Sequence, residues 1–173
     1  ELEKLKGEVY DFWATFPHKF YHGQKNNNVS GDYIEGSKNA HYAYIVEGVE
    51  DGKYVQFIKA KPAKDVYDYT EWGNNASQIY ECITVGEGSS TMKFTFASWP
   101  NDLDVEYSMF IIASSHIFGS IGLRHKKYAI LNKEYSSEQY AQLRKQIIAD
   151  MNANPYTDAK KRVYRYGEFF PYE

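Results

Sequence analysis

The segment from Asp65 to Lys93 reads DVYDYTEWGNNASQIYECITVGEGSSTMK and contains one short pattern three times. Each copy has a polar residue followed by an apolar anchor. The anchors in this segment are Val66, Ile79 and Met92, which lie 13 residues apart. Such a repeat predicts stacked strand-and-turn units, because one unit cannot bury its own apolar face.

The same pattern extends in both directions and covers Asn28 to Ile121. Its eight anchors are spaced 11 to 14 residues apart, and most of the residues before them are types that favour turns. The anchors are Val29, Ala40, Gly52, Val66, Ile79, Met92, Val105 and Ile117. The residues before the anchors are Asn28, Asn39, Asp51, Asp65, Gln78, Thr91, Asp104 and His116. The residues two positions after them are Gly31, Tyr42, Tyr54, Asp68, Glu81, Phe94, Tyr107 and Gly119.

We therefore expect a mainly β protein, a short-coil parallel β-solenoid (β-helix) of about eight repeats. At about 3.3 Å per residue, a coil of this length has a perimeter of roughly 43 Å, which predicts a flattened coil of two five-residue strands and two tight turns. The alternative is one antiparallel strand per repeat, in a sandwich or barrel. The dipeptide Asn-Gly, typical of hairpins, does not occur, and alternate repeats do not differ, so the pattern favours the solenoid.

The 173 residues are predicted to form a single domain with four parts. Residues 1–17 carry an apolar stripe with helical spacing that ends at Pro17, and this N-terminal helix is expected to cap the first coil. Residues 28–132 form the β-solenoid repeats. Residues 136–153 form a C-terminal helix that begins with a capping box of Ser136 and Gln139. Residues 154–173 are an aromatic tail, expected to pack back on the solenoid or to continue into further sequence.

Composition limits the possible functions. The net charge of -3 argues against nucleic acid as a partner, although two basic clusters occur at 124–127 and 160–162. The single cysteine, Cys82, excludes an internal disulfide and a cysteine zinc site. Since the sequence has no long apolar run and no secretory signal, we expect a cytoplasmic protein without a membrane span.

Residues 118–135, which read FGSIGLRHKKYAILNKEY, resemble a phrase of uncharacterised bacterial proteins, mostly from metagenomes, that carry zinc-ribbon modules beside a cysteine-rich repeat region. The resemblance extends to NVSGDYI at 28–34 and YGEFFP at 166–171, and so covers most of the chain. It implies the repeat region of that family with most cysteines replaced, by nature or by engineering. The positions where such proteins tend to have cysteine are here Val55, Thr95, Ser108, Ser120 and Ala129.

The candidate binding residues are Tyr67, Tyr80, Trp72 and Trp99. In a solenoid, Tyr67 and Tyr80 lie side by side as a flat aromatic strip, at about 4.8 Å. The two tryptophans flank turn segments that are predicted to protrude along one edge, where repeat proteins often bind. These segments are residues 71–75, 86–90 and 99–102.

No motif predicts an enzyme, a cofactor or a metal site. Asp102, Asp104 and Glu106 are close in sequence, and Asp68 or Glu81 can approach them by stacking, which leaves a carbohydrate-active enzyme as the alternative. Cys82 is expected to be a buried packing thiol, and His41 and His116 are not expected to share a site. The sequence thus predicts a structural or interaction module without catalytic activity, whose partner is another protein or a glycan.

Overall fold

The computed structural model describes residues 2–60, 63–74 and 76–168, apart from the side chains of Ala60 and Trp72. It contains two helices, α1 (Leu2–Ala14) and α2 (Ser137–Ala153). The strands in chain order are β1 (Gly23–Gln24), β2 (Gly31–Glu35), β3 (Lys38–His41), β4 (Ala43–Glu47), β5 (Val49–Ala60), β6 (Ala63–Gly73), β7 (Ala76–Gly86), β8 (Ser90–Ser98), β9 (Leu103–Glu106), β10 (Ser115–Phe118), β11 (Lys127–Ile130), β12 (Lys133–Glu134), β13 (Tyr156–Thr157) and β14 (Val163–Tyr164).

The strands from β1 to β11 pair in parallel with the strands of neighbouring coils, which makes a parallel β-solenoid of about eight turns. The predicted anchors Val66, Ile79, Met92, Val105 and Ile117 are register partners in successive coils, and each is 0% exposed. The predicted solenoid is therefore confirmed, and the antiparallel sandwich is excluded. The stack ends where β12 pairs with β11 in the antiparallel direction.

Each coil has four sides, because the backbone bends at every third residue. In one coil the residues with positive φ are Gln78 (53°), Glu81 (47°), Thr84 (54°) and Glu87 (46°). This left-handed conformation interrupts the extended backbone and turns the chain. The predicted flattened coil with two five-residue strands is therefore wrong. In a regular β-strand every second residue faces the same side. In this coil every third residue faces inward, and it directly follows a corner, as Ile79, Cys82 and Val85 do.

We number the corners 1 to 4 along the chain within each coil. Corner 1 comprises the eight residues before the anchors, from Asn28 to His116, and corner 2 the eight residues two positions after them, from Gly31 to Gly119; all have positive φ. Corner 3 comprises Tyr33, Ile45, Phe57, Glu71, Thr84, Ala97, Phe110 and Gly122. Corner 4 includes Gly36, Gly48, Asn74, Glu87, Asn101, Ala113 and His125.

The irregular segments predicted from the sequence lie side by side along corner 4, as expected. The backbone N–H of Gly88 donates to the carbonyl of Asn74 at 3.1 Å, and that of Asn101 donates to the carbonyl of Glu87 at 2.8 Å. A Cβ on Gly88, which has φ +80°, would lie 2.4 Å from Oδ1 of Asn101. Glycine adopts this positive φ at little cost and leaves Asn101 in place, so it suits the extra residue in the stack.

The narrow interior uses hydroxyl groups as well as apolar side chains. Ser108 Oγ donates to the carbonyl of Glu106 at 2.8 Å and accepts from the N–H of Ser120 in the next coil at 3.0 Å. Cys82 Sγ likewise donates to the carbonyl two residues before it, that of Tyr80, at 3.3 Å. A thiol and a hydroxyl are thus equivalent in this site. The five positions where the resemblance leads us to expect cysteine, Val55, Thr95, Ser108, Ser120 and Ala129, are all inward and buried.

Helix α1 is present where the apolar stripe predicts it, but it does not pack on the first coil. None of its residues is buried, so α1 does not cover the open edge of the first coil, and the predicted capping role is not seen. Helix α2 begins at the predicted capping box, in which the N–H of Gln139 donates to Ser136 Oγ at 3.2 Å. Neither described helix is long and apolar enough to cross a membrane.

Helix α2 and the following segment cover one side of the last coils. Tyr140 of α2 is 4% exposed and packs with Phe118 and Ile130. The tail packs back on the solenoid, which is one of the two predictions made for it: the N–H of Gly167 donates to the hydroxyl of Tyr107 at 2.8 Å. The predicted contacts of Phe169, Phe170 and Tyr172 lie outside the described residues.

The interior also contains one carboxylate, Asp102, which is 0% exposed. Its backbone N–H donates to Ser89 Oγ at 3.2 Å, and its Oδ1 accepts from the N–H of Ser114 at 2.8 Å. Its Oδ2 has no hydrogen-bond partner among the described residues. Burial raises the pKa of Asp102 from 3.8 to about 6. Because the folded pKa is the higher one, ionisation destabilises the fold as the pH rises from about 4 through about 6.

We expect Asp102→Ser to raise the free energy of unfolding by about 2–3 kcal/mol near neutral pH, and by much less below the unfolded-state pKa. Serine already occupies this inward column at Ser89 and Ser114, and its hydroxyl retains the contact to the next coil. Urea unfolding at several pH values measures the effect. The exposed Asp68→Ser is the control, and an equal, pH-independent change in both variants would contradict the prediction.

The corners make a second prediction. Thr91 is a β-branched residue at φ 56°, a conformation that asparagine adopts more readily. We expect Thr91→Asn to stabilise the protein by roughly 0.5–1 kcal/mol, because part of the cost of a left-handed residue is removed. Thermal unfolding of this variant is compared with that of Thr70→Asn, whose backbone is extended and should gain nothing. A loss of stability in Thr91→Asn would show that the corner is not strained.

Candidate binding face

The side of the solenoid between corners 1 and 2 carries the predicted pair, Tyr67 and Tyr80. The two residues are register partners in adjacent coils, as expected, and remain 42% and 37% exposed. We call the outward column on this side the tyrosine face. It comprises Lys53, Tyr67, Tyr80, Lys93 and Glu106, which are register partners in that order.

The structure does not bring the two predicted tryptophans to this face. Trp99 lies between Ala97 at corner 3 and Asn101 at corner 4, which is the opposite side of the coil. The side chain of Trp72 lies outside the described part of the chain, and its backbone pairs with Ile58 and Val85, both in the interior column. The predicted strip of four aromatic residues thus reduces to the two tyrosines.

Charged residues surround the tyrosine pair. Lys53 and Lys93 are the register neighbours on either side, and Lys53 Nζ lies 4.9 Å from the ring centre of Tyr54. Asp68 and Glu81 occupy corner 2 beside the two rings. Burial raises the pKa of the Tyr80 hydroxyl, and the nearby carboxylates of Glu81 and Asp68 raise it further. The face therefore offers flat rings, ammonium donors and carboxylate acceptors within four successive coils.

Helix α2 and the tail close the C-terminal end of the tyrosine face. We call the cluster of Lys93, Glu106, Arg144 and Tyr166 at this end the wall. Glu106, the register neighbour of Lys93, is 1% exposed because α2 and the tail cover it. Its Oε1 accepts from Arg144 Nη2 at 2.5 Å and lies 3.6 Å from Lys93 Nζ, and its Oε2 accepts from the hydroxyl of Tyr166 at 3.0 Å. This cluster joins three distant parts of the chain around one carboxylate.

Aromatic contacts connect the wall to the tyrosine pair. The ring of Tyr80 meets Phe94 edge to face at 5.6 Å, and Phe94 stacks on Tyr107 at 4.5 Å. Tyr166 of the tail contacts the edge of Phe94 at 6.1 Å. Burial raises the pKa of Tyr107 to about 12, so this ring stays a neutral hydrogen-bonding group. Tyr80 is consequently supported on one side by packed rings.

Sequence reasoning missed this wall. Arg144 and Tyr166 lie 38 and 60 residues from Glu106 along the chain, and no local pattern connects them. The sequence did contain one signal for part of it. Lys93 and Glu106 occupy the same outward position in successive coils, which could have predicted their ion pair.

The other candidate residues do not form a site together. Asp102 faces the interior, Glu106 lies under α2, and Asp104 Oδ2 is 2.8 Å from Nδ1 of His116. Cys82 is 0% exposed and burial raises its pKa to about 12, which makes it unreactive. His41 lies near Ser30, several coils from His116. Within the described ranges, no group of three or more possible metal ligands occurs.

An open groove of about 550 Å³ lies at the first coils, beside the connector that follows α1. His22 anchors this connector: its N–H donates to Asp32 Oδ1 at 2.6 Å, and its ring stacks on Tyr33 at 4.6 Å. The backbone N–H of His22 lowers the pKa of Asp32. Since these polar groups bind one another, we interpret the arrangement as structural.

Comparison with known proteins finds no matching family model, no matching curated protein and no matching solved structure. The function must therefore be inferred from the geometry alone.

The wall gives a third prediction. Arg144→Met leaves the buried Glu106 carboxylate without its closest cation, so we expect the free energy of unfolding to fall by about 2–4 kcal/mol. Hydrogen exchange should show α2 opening more readily than the coils, and urea unfolding gives the magnitude. Lys145→Met, at the exposed neighbouring position, is the control. Equal effects of the two variants would mean that the ion pair does not hold the helix.

Proposed function

We propose that this domain is a non-catalytic binding module, whose ligand lies along the tyrosine face against Tyr67 and Tyr80. The observation that carries the proposal is the paired exposure of these rings on a flat side of a rigid solenoid. Aromatic rings supply a large contact area at little conformational cost, and such residues dominate the binding energy of many interfaces.

The wall supports binding at this position rather than elsewhere on the face. Lys93, Arg144 and Tyr166 surround Glu106 and end the open column at a fixed coil. A ligand on the tyrosines therefore meets a step at one end, which defines its position along the solenoid. The scaffold requires no rearrangement, and preorganisation reduces the entropy lost on binding.

The arrangement of the acids supports binding over catalysis. Glycoside hydrolysis needs two carboxylates on opposite sides of the scissile bond. Asp68 and Glu81 are neighbours on one corner, and both lie on the same side of the tyrosine pair. Asp102 and Glu106 are buried and do not reach the face. We therefore rank a carbohydrate-active enzyme below a binding module.

A glycan is the second candidate ligand, beside a protein segment. The carboxylates of Asp68 and Glu81 beside the rings favour it, because a sugar presents an apolar C–H face to a ring and hydroxyl donors to neighbouring acceptors. A protein segment uses the same rings, with Lys53 beside Tyr67 to pair with its carboxylates or carbonyls. Bacterial origin and a cytoplasmic location stay predictions from the sequence.

The test is a screen of the whole chain against a glycan array and a random peptide library, followed by calorimetry on the ligands found. We expect Tyr67→Ala together with Tyr80→Ala to weaken binding at least about tenfold, because the central rings are removed. Circular dichroism confirms that the variant is folded.

Tyr44→Ala is the matched control, since Tyr44 is 44% exposed on the adjoining side of the solenoid. It should leave the affinity unchanged. Ligands that bind the double variant as tightly as the natural chain would contradict the proposal, as would the absence of any ligand in both libraries. Cleavage of a bound glycan would favour the enzyme instead.

A further inference from the structure

Helix α1 carries a regular apolar seam. Its apolar residues follow one another at alternating steps of three and four, which is the spacing of a heptad repeat. At 100° per residue, these residues and Trp13 fall within an arc of roughly 100° on the helix. The seam comprises Leu2, Leu5, Val9, Phe12 and Trp13 of α1, together with Phe16, which lies two residues after the end of the helix.

The seam has no partner among the described residues. Its six side chains are between 39% and 66% exposed, and no residue of α1 is buried. The ring of Phe16 packs edge to face with that of Phe12 in the same seam, and the two ring centres are 5.1 Å apart. An apolar stripe of this size on an isolated helix is unfavourable in water, so a partner surface is expected.

We propose that the seam binds the same seam of a second copy of this chain, so that the protein self-associates through α1. The alternation of three and four residues is what two helices need to interlock their side chains along their length.

The contact area is sufficient for this partner. Six side chains of this size and exposure remove roughly 650 Å² per copy from water, which approaches the roughly 800 Å² per partner of a typical specific interface. Large aromatic residues, Phe12, Trp13 and Phe16, supply more than half of it, and such residues commonly dominate binding energies.

The charges on α1 are compatible with a second copy and disfavour a membrane surface. Lys6 pairs with Glu3 at 2.8 Å and Lys4 lies 3.7 Å from Glu8. Lys6 and Glu8 flank the seam on opposite sides and carry opposite charges. No row of like charges therefore opposes the approach of an identical helix. With Asp11, the acidic residues outnumber the two lysines, whereas helices that bind anionic lipid are rich in lysine and arginine.

The experiment measures the mass of the full chain by light scattering and sedimentation equilibrium, from about 5 µM to about 200 µM. We expect concentration-dependent self-association. Leu5→Glu with Phe12→Glu places two charges in the seam and should raise the dissociation constant at least about tenfold. Both side chains are exposed, so the solenoid should unfold at an unchanged temperature.

The matched control is Tyr10→Glu with Ala14→Glu, which adds the same charge to the exposed polar side of α1. It should associate like the natural chain. A natural chain that stays monomeric throughout the range would overturn the proposal, and so would equal association of the seam variant. Co-sedimentation of the natural chain with phosphatidylcholine or phosphatidylserine vesicles, lost in the seam variant, would assign the seam to a membrane surface instead.

Discussion

The left-handed residue at every corner is the constraint on which the structure depends. A coil that turns at every third residue has room for one inward side chain per side, and most of these side chains are small or β-branched, with Tyr69 as the largest. The same bend places one residue per side on a flat outward column, where coil after coil presents its side chains in line. Interior composition, stacking register and the tyrosine face all follow from this bend.

The narrow interior explains an unusual core chemistry. Serine, threonine and cysteine occupy positions where a globular protein has leucine, because their polar atoms bind a carbonyl of their own strand and, in many cases, an N–H of the next coil. Ser108 and Cys82 illustrate the equivalence of hydroxyl and thiol. Asp102 takes the same role with a carboxylate, a group whose ionised form is disfavoured by burial.

Much of the fold could be predicted because repetition amplifies a weak signal. The anchors were recognised from their spacing, and the polar residues before them proved to be corners. The shape of the coil was predicted wrongly because the strands were treated as regular ones, in which side chains alternate between two faces. The inward residues instead recur every three positions, as Ile79, Cys82 and Val85 do. The neighbours Tyr67 and Tyr80 followed from the register. The contacts of Glu106 with Arg144 and Tyr166 could not be predicted in this way, because they depend on chain folding that no repeat encodes.

The tyrosine face is assembled from whole coils, while its end is fixed by one carboxylate. Gain or loss of a complete coil before the one that carries Lys93 changes the open length of the face in steps of about 4.8 Å and leaves the contacts of Glu106 with Lys93, Arg144 and Tyr166 intact. Gain or loss of a single residue instead displaces the corners from their columns, except at corner 4, where Gly88 already accommodates an extra residue. Duplication of a coil would therefore lengthen the face without redesign of the helix that closes it.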